Sequence, residues 1–431
     1  MFLETCRKER EDIVDYSEMP QNKILCVDMK SFYASCSAVM LGLDPLNCYL
    51  AVVGNLDRPG SVVLAASPRL KKEFGIKTGS RKFEIPDDPR IVVVDPQMST
   101  YLRISTEISR VFNRYVPKEA IHTYSVDESF IKVDGASKLW GDAASIAKKI
   151  KDDIEREFQL PCAVGIGPNM LMSKLCLDLD AKHKGIAEWT YDDVQTKLWN
   201  VSPLRDMWGI GRRVEKTLNS MGIFTVGQLA RYDLETLEKK FGIMGNQMYW
   251  HAWGIDFSDI GAPIMEGQIS FGKSQILLRD YKEEEEIKHV ILEMCEEVAR
   301  RARSHGKAGR TISFGVGYSQ DEFGGGFHRS RTIEEPTNIT MDVYRVCLEL
   351  FAENYAGKTV RSISIAIGNL VTDSEFQLNL FEKNGWKKKE LGYAMDRIRS
   401  RYGSTALLRA VSYTTAGTAR HRAALVGGHK G

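Results

Sequence analysis

The run Lys23-Ile24-Leu25-Cys26-Val27-Asp28 decides the fold. Consecutive apolar residues closed by an acid read as a buried strand whose C-terminal end reaches a polar site. Downstream, IHTYSVDESFIKVDG (residues 121–135) reads as a hairpin with Asp127 and Glu128 between its strands, and CAVGIG (162–167) as a further buried strand. Helical spacing fills the intervals: Tyr101, Ile104, Ile108 and Val111 share a face over 97–115, and another helix spans 142–158. The order β-α-β-β-α-β predicts a split βαβ, ferredoxin-like sheet. Its first and third strands are central and adjacent, so Asp28 converges with Asp127 and Glu128.

Outward from that sheet, SFYASCSAVML has helical spacing, YLAVVG and SVVLAA pair as strands, PRLKKEFG forms a basic helix, and IVVVD (91–95) is another strand. Residues 202–254 form short helices around two glycine turns, WGIGRRVEKTL and FGIMGNQMYW. From 267 the order changes to strand 268–278, helix 284–303, strands 310–318 and 326–333, helix 340–355 and strand 360–368, a second α+β module with its own core.

A chain of 431 residues suits three or four modules, and its 43% apolar and 27% charged residues are those of a soluble globular protein. It holds no apolar run long enough for a membrane span, and its charged N-terminus is no secretory signal, so a cytoplasmic protein is expected. The eight cysteines form no C-x-x-C pair, which predicts reduced thiols and no structural zinc. Net charge is only +2, but unevenly spread: Glu283–Glu286 opens a surface helix, and basic residues crowd the chain from Lys387.

Three acids on neighbouring strands suit hard divalent cations, because Mg²⁺ takes oxygen ligands from one or two carboxylates and substrate phosphates. Taken singly, each acid is more often turn chemistry at a strand end; their joint placement favours a metal site.

CVDMKSFYASC, YSVDESF and AVGIGPNMLMSKLCLDLDAKHKG together resemble, in order and spacing, the palm motifs of Y-family DNA polymerases, with most likeness to the bacterial UmuC-like branch, over about residues 23–420. The resemblance implies an α+β, multidomain right-hand polymerase: an extension at 1–22, a ferredoxin-like palm at 23–32 and 91–190, small fingers at 33–90, a helix-hairpin-helix thumb at 191–262, a little finger at 267–371, and a tail at 372–431. It implies that Asp28, Asp127, Glu128 and the Met29 carbonyl hold two Mg²⁺ ions. Tyr33 falls at the aromatic gate that excludes a 2′-hydroxyl. Ser31, Phe32 and Tyr33 begin a helix, where free N–H groups suit triphosphate oxygens, and Lys182 matches the triphosphate lysine. Two positions depart from the pattern. Lys30 stands where a second acid is frequent, and ASPRLKK replaces the usual fingers tyrosine and arginine. Lys71 is the expected triphosphate contact there, with Arg69 and Lys72 as alternatives.

Gly209-Ile210-Gly211, followed by Arg212 and Arg213, resembles the thumb hairpin; glycines admit a DNA phosphate to the backbone. An ordinary helix–helix turn is the alternative. In the little-finger-like module, Lys273, Arg329 and Arg331 lie on strands, and alternate residues project together toward a duplex phosphate track. Gln377-Leu378-Asn379-Leu380-Phe381 resembles a sliding-clamp-binding peptide, with Leu380 and Phe381 as anchors beside Gln377 and Leu378. The expected partners are primer-template DNA, deoxynucleoside triphosphates and the clamp, with no membrane and a monomeric chain. The implied activity is lesion-bypass synthesis within a DNA-damage (SOS) response. A nucleotidyl cyclase would share the acids but need none of the later modules. A catalytically weak or inactive accessory protein binding DNA and the clamp would be expected to lose the acids, and all three are present.

Overall fold

A computed structural model describes residues 14–261, 269–373 and 385–430. The chain divides into two compact units, Met1–Ala262 with His429–Gly431, and Pro263–Gly428.

The strands of the first unit used below are, in chain order, β1 (Ile24–Met29), β2 (Tyr49–Val53), β3 (Val63–Ala66), β4 (Ile91–Val94), β5 (Ile121–Thr123), β6 (Glu128–Lys132), β7 (Cys162–Gly167) and β8 (Ile186–Glu188). They form one sheet ordered β5-β6-β1-β7-β8 and another ordered β3-β2-β4. Within the larger sheet, β1 pairs antiparallel with both β6 and β7. Every β1 residue except Asp28 is buried, which is why the apolar run needs neighbours on both edges and cover on both faces. The mixed α+β class and the adjacency of the first and third ferredoxin-like strands are as expected.

The helices used below are α1 (Phe32–Met40), α2 (Pro68–Phe74), α3 (Met98–Phe112), α4 (Ala143–Phe158) and α5 (Met170–Cys176). α4 buries Ile146, Ile150 and Ile154, one helical face. α5 crosses β7 at close range: a Cβ at Gly165 would lie 2.3 Å from the Ser173 carbonyl oxygen, and one at Gly167 2.4 Å from the Ser173 nitrogen. The glycines of CAVGIG therefore serve a helix–sheet contact. A π-helical turn, Leu177–Ala181, follows α5.

One strand sits elsewhere than expected. β4, grouped with the palm segment from the sequence, pairs in parallel with β2 from Tyr49↔Ile91 to Val52↔Val94. A run of β-branched residues satisfies any buried parallel strand, and its composition does not name its neighbour.

The helical stretch contains α6 (Arg212–Ser220), α7 (Leu234–Phe241) and α8 (Ile243–Ala252). Its core includes Trp199 and Trp253, whose rings meet edge-on at 5.1 Å. The segment before β1 is anchored here: Tyr16 stacks on Tyr191 at 4.4 Å and donates its hydroxyl to the Trp253 carbonyl at 3.0 Å.

In the second unit, β9 (Ser270–Tyr281), β10 (Lys307–Tyr318), β11 (Gly326–Thr337) and β12 (Val360–Thr372) form a sheet ordered β11-β10-β12-β9. Ile312, Phe314, Ile363, Ile365 and Ile367 pack one face against α9 (Glu284–Ser304) and α10 (Thr340–Asn354). The alternate positions, among them Thr311, Ser313, Ser330, Thr332 and Ser364, make a face of short side chains.

The basic stretch expected as a tail is part of this unit. It carries α11 (Gly385–Tyr402) and α12 (Ala419–Ala423). Its residues pair with charges on α9: Glu296 takes Arg399 at 3.0 Å and Arg409 at 2.5 Å, while Arg303 of α9 reaches Asp396 at 2.7 Å. The Glu293 carboxylate accepts from Thr418 N–H at 2.8 Å, and Tyr281 donates to the Ala416 carbonyl at 3.0 Å. The partners, about a hundred residues earlier, were beyond any local pattern.

Candidate active site

β1 carries Asp28 out of its buried run, and β6 opens with Glu128 directly opposite. Both point to the sheet face that Cys26 shares, since the Cys26 thiol donates to Glu128 Oε1 at 3.3 Å. Lys174, from α5, meets Glu128 at 2.8 Å and Asp178 at 3.3 Å. One turn on, Lys182 bonds Asp178 at 2.7 Å and Asp28 at 3.3 Å. Asp127 accepts from Ser125 Oγ at 2.6 Å, and its carbonyl receives the Met29 N–H at 2.9 Å.

Electrostatics follow from this crowding. Burial pushes the Asp28 carboxyl up to about 6; Lys182 opposes the rise, while Asp127 and Glu128 add to it. Desolvation works against the Lys174 and Lys182 ammonium groups, yet the carboxylates around them win, and both are held above the ordinary lysine value. The lysines thus do not offset the cost of burying the Asp28 charge. Among the described residues, no group of three or more His, Cys, Asp or Glu is gathered closely enough to hold a metal ion. Asp28 and Glu128 lie opposite each other in the sheet, and Asp127, next to Glu128, is hydrogen-bonded to Ser125. The donors present are hard carboxylate oxygens, which fit a divalent cation such as Mg²⁺.

Around the acids stand the residues expected at a nucleotide. Ser31, in left-handed backbone at φ 52°, begins α1, so the first-turn N–H groups have no partner within the helix. Phe32 is buried, and Tyr33 is half-exposed. Burial and the nearby Asp127 raise the Tyr33 phenol above its ordinary value. On α2, Lys71 donates to Ser31 Oγ at 2.8 Å. Loss of water lowers its pKa, with Asp28 opposing. Arg69 is committed elsewhere, to Glu73 at 2.9 Å and over the Tyr49 ring at 4.7 Å. Of the basic residues weighed on this helix, Lys71 reaches the start of α1 through its bond to Ser31.

Comparison with known proteins matches residues 27–178 to the impB/mucB/samB family, 191–223 to the helix-hairpin-helix motif of the IMS family, and 268–380 to the impB/mucB/samB C-terminal domain. The chain is 64% identical over 97% of its length, and all of the relative, to the putative UV-damage repair protein UvrX of Bacillus subtilis. It is 40% identical to DNA polymerase IV 2 of the same organism, covering 95% of this chain and 99% of the relative. The chain belongs to the Y-family DNA polymerases. A solved Y-family polymerase chimera shares the fold, with a TM-score of 0.63 at 18% identity over 81% of this chain and 99% of that one.

Elsewhere in the polymerase the expected DNA-binding residues fall into two groups. Gly209 has φ +94°, Gly211 precedes α6, and a Cβ on either would meet open space. Arg212 and Arg213 are exposed in the first turn of that helix. The strand residues lie together on one side of their sheet. Arg329 and Arg331 do share a face, but their register with Phe314 and Ile312 puts them on the helix-bearing side. Arg331 is held there by Glu349 and Glu353 of α10, each at 2.7 Å. Lys273 is opposite Ile365, on that same side, and burial lowers its pKa. Alternation foretold the shared face but not which face the helices take. Gln377, Leu378, Leu380 and Phe381 lie outside the described residues.

Sequence reasoning missed Lys174 and Tyr101 as members of the site. Lys174 had a signal, an acid four residues later on a helix in KLCLD. Tyr101 read only as one apolar position of α3.

Proposed function

We propose that this polymerase adds deoxynucleotides to a primer 3′ end under template direction, and that it does so across damaged template bases. The observation that carries the proposal is Asp28 opposite Glu128, with Lys71, Lys182 and Tyr33 grouped around them. The repair name of a relative that spans nearly the whole chain supports the damage-linked part.

In this reading Asp28, Asp127, Glu128 and the Met29 carbonyl hold two Mg²⁺ ions, which when bound activate the 3′-hydroxyl and stabilise the departing pyrophosphate. Lys71 and Lys182 neutralise the triphosphate, and the N–H groups at Ser31, Phe32 and Tyr33 orient its oxygens. The Tyr33 ring fills the space that a ribose 2′-hydroxyl needs. Gly209, Gly211, Arg212 and Arg213 grip the DNA backbone without reading bases. Residues 377–381 bind the sliding clamp, and the enzyme works as a cytoplasmic monomer; no described helix is long and apolar enough to cross a membrane.

Primer extension with Mg²⁺ on intact and lesion-bearing templates tests this reading. The Asp127→Ala, Glu128→Ala double variant should bind primer-template normally and extend nothing; equal extension refutes the role of the acids. Replacing Leu380 and Phe381 by alanine should abolish clamp pull-down and spare synthesis, and an unchanged pull-down removes the peptide from the account.

A further inference from the structure

A gate made of one aromatic ring excludes a hydroxyl only as well as the ring is held. Tyr33 is half-exposed in the first turn of α1, and a tyrosine turns about two side-chain bonds. Its neighbour on the helix, Phe32, meets it tilted, with centroids 5.9 Å apart. That contact leaves the broad face of the gate ring to another support.

The support comes from α3. Tyr101 is fully buried and lies nearly parallel to Tyr33, centroids 4.7 Å apart and planes 17° apart. This is the stacked arrangement that aromatic quadrupoles favour when offset. The Tyr101 ring is fixed at its far end as well: its hydroxyl and Ser37 Oγ are 2.7 Å apart, both buried. Ser37 sits on α1, one turn after Tyr33. One helix therefore carries both the gate and the anchor of the platform behind it.

We propose that Tyr101, anchored by Ser37, is a positioning residue that holds the Tyr33 ring in place and thereby sets how strictly ribonucleotides are refused. The proposal rests on the reading of Tyr33 as the sugar gate. Tyr101 touches no substrate. It acts by narrowing the swing of a ring that does. A merely space-filling aromatic at this point would affect stability and overall rate, but not the choice between two sugars that differ by one hydroxyl.

The test is single-nucleotide primer extension by the full chain, with kcat and KM measured for a deoxynucleotide and its ribonucleotide. Tyr101→Leu should lower the deoxy-to-ribo ratio of kcat/KM by about three- to tenfold, the size expected of one aromatic pair. The change should lie in the ribonucleotide parameters. Tyr101→Phe, which keeps the platform, should restore most of the ratio. In a Tyr33→Ala background Tyr101→Leu should add nothing, because the ring it steadies is gone. A wild-type ratio in Tyr101→Leu, beside a permissive Tyr33→Ala, overturns the proposal, and so does an additive double variant. If Tyr33→Ala itself keeps the wild-type ratio, the gate reading falls and takes this proposal with it. Should Tyr101→Leu not fold, Tyr101→Met decides by the same ratio, since it fills similar volume without a flat face.

Discussion

Asp28 should make the polymerase less stable than it would be without that charge. Burial holds the Asp28 carboxyl at about 6 instead of the ordinary 3.8, even with Lys182 beside it. At 1.36 kcal/mol per tenfold step in acidity, that gap corresponds to about 3 kcal/mol. The sign follows from proton binding. Between about pH 4 and 6 the folded chain keeps a proton that the unfolded chain has released, so stability falls as pH rises, and the loss is complete above pH 6. Asp28→Asn cannot ionise. It should gain on the order of 3 kcal/mol over wild type at pH 7.5 without divalent ions, and about nothing near pH 4. Every tryptophan except Trp386 lies in the first unit, so intrinsic fluorescence in urea reports on the relevant body. The gain should shrink when Mg²⁺ is added, because an ion that binds the wild-type carboxylate stabilises only the wild type. A gain that does not depend on pH, or a net loss at pH 7.5, refutes the account of an acid destabilised by its burial.

Three further outcomes are expected. Lys174→Met removes the cation shared by Glu128 and Asp178 in a nearly buried cluster, and should destabilise the first unit by about 3–5 kcal/mol at neutral pH, read as a lower urea midpoint; a midpoint close to wild type means the carboxylates find other relief. Gly165→Ala places a Cβ against the Ser173 carbonyl and should cost at least about 1–3 kcal/mol by the same assay, and a neutral effect would show that α5 can lift from β7. Arg212→Ala and Arg213→Ala should each weaken DNA binding and reduce its salt slope by about one, whereas Arg331→Ala, already neutralised by Glu349 and Glu353, should alter neither; equal effects at the three positions refute the division.

How much of this was legible beforehand depended on range. β1, β7 and the β5-β6 hairpin were readable because each is a short local pattern, and the acids stood out because they interrupt apolar strands. The sheet joined by β4 was not, since Ile91–Val94 carries no mark of its neighbour. The pairing of Arg331 with Glu349 and Glu353 was not readable, because a strand's alternation fixes which residues travel together and not which side the helices cover. Lys71 could not be separated from Arg69 until Glu73 and Tyr49 were seen to occupy the latter. Each failure concerns a partner distant in sequence.

The return of the C-terminal stretch to α9 bears on how the polymerase can be dissected. Clipping the chain just past β12 would discard Arg399, Arg409 and Asp396 together, stripping Glu296 of two cations and Arg303 of an anion and leaving the two their mutual pair at 3.7 Å. A shortened enzyme that failed would then be reporting a damaged module, whatever partner had been removed with it. Only replacements made in place, with Lys389 onward left intact, can separate recruitment from folding.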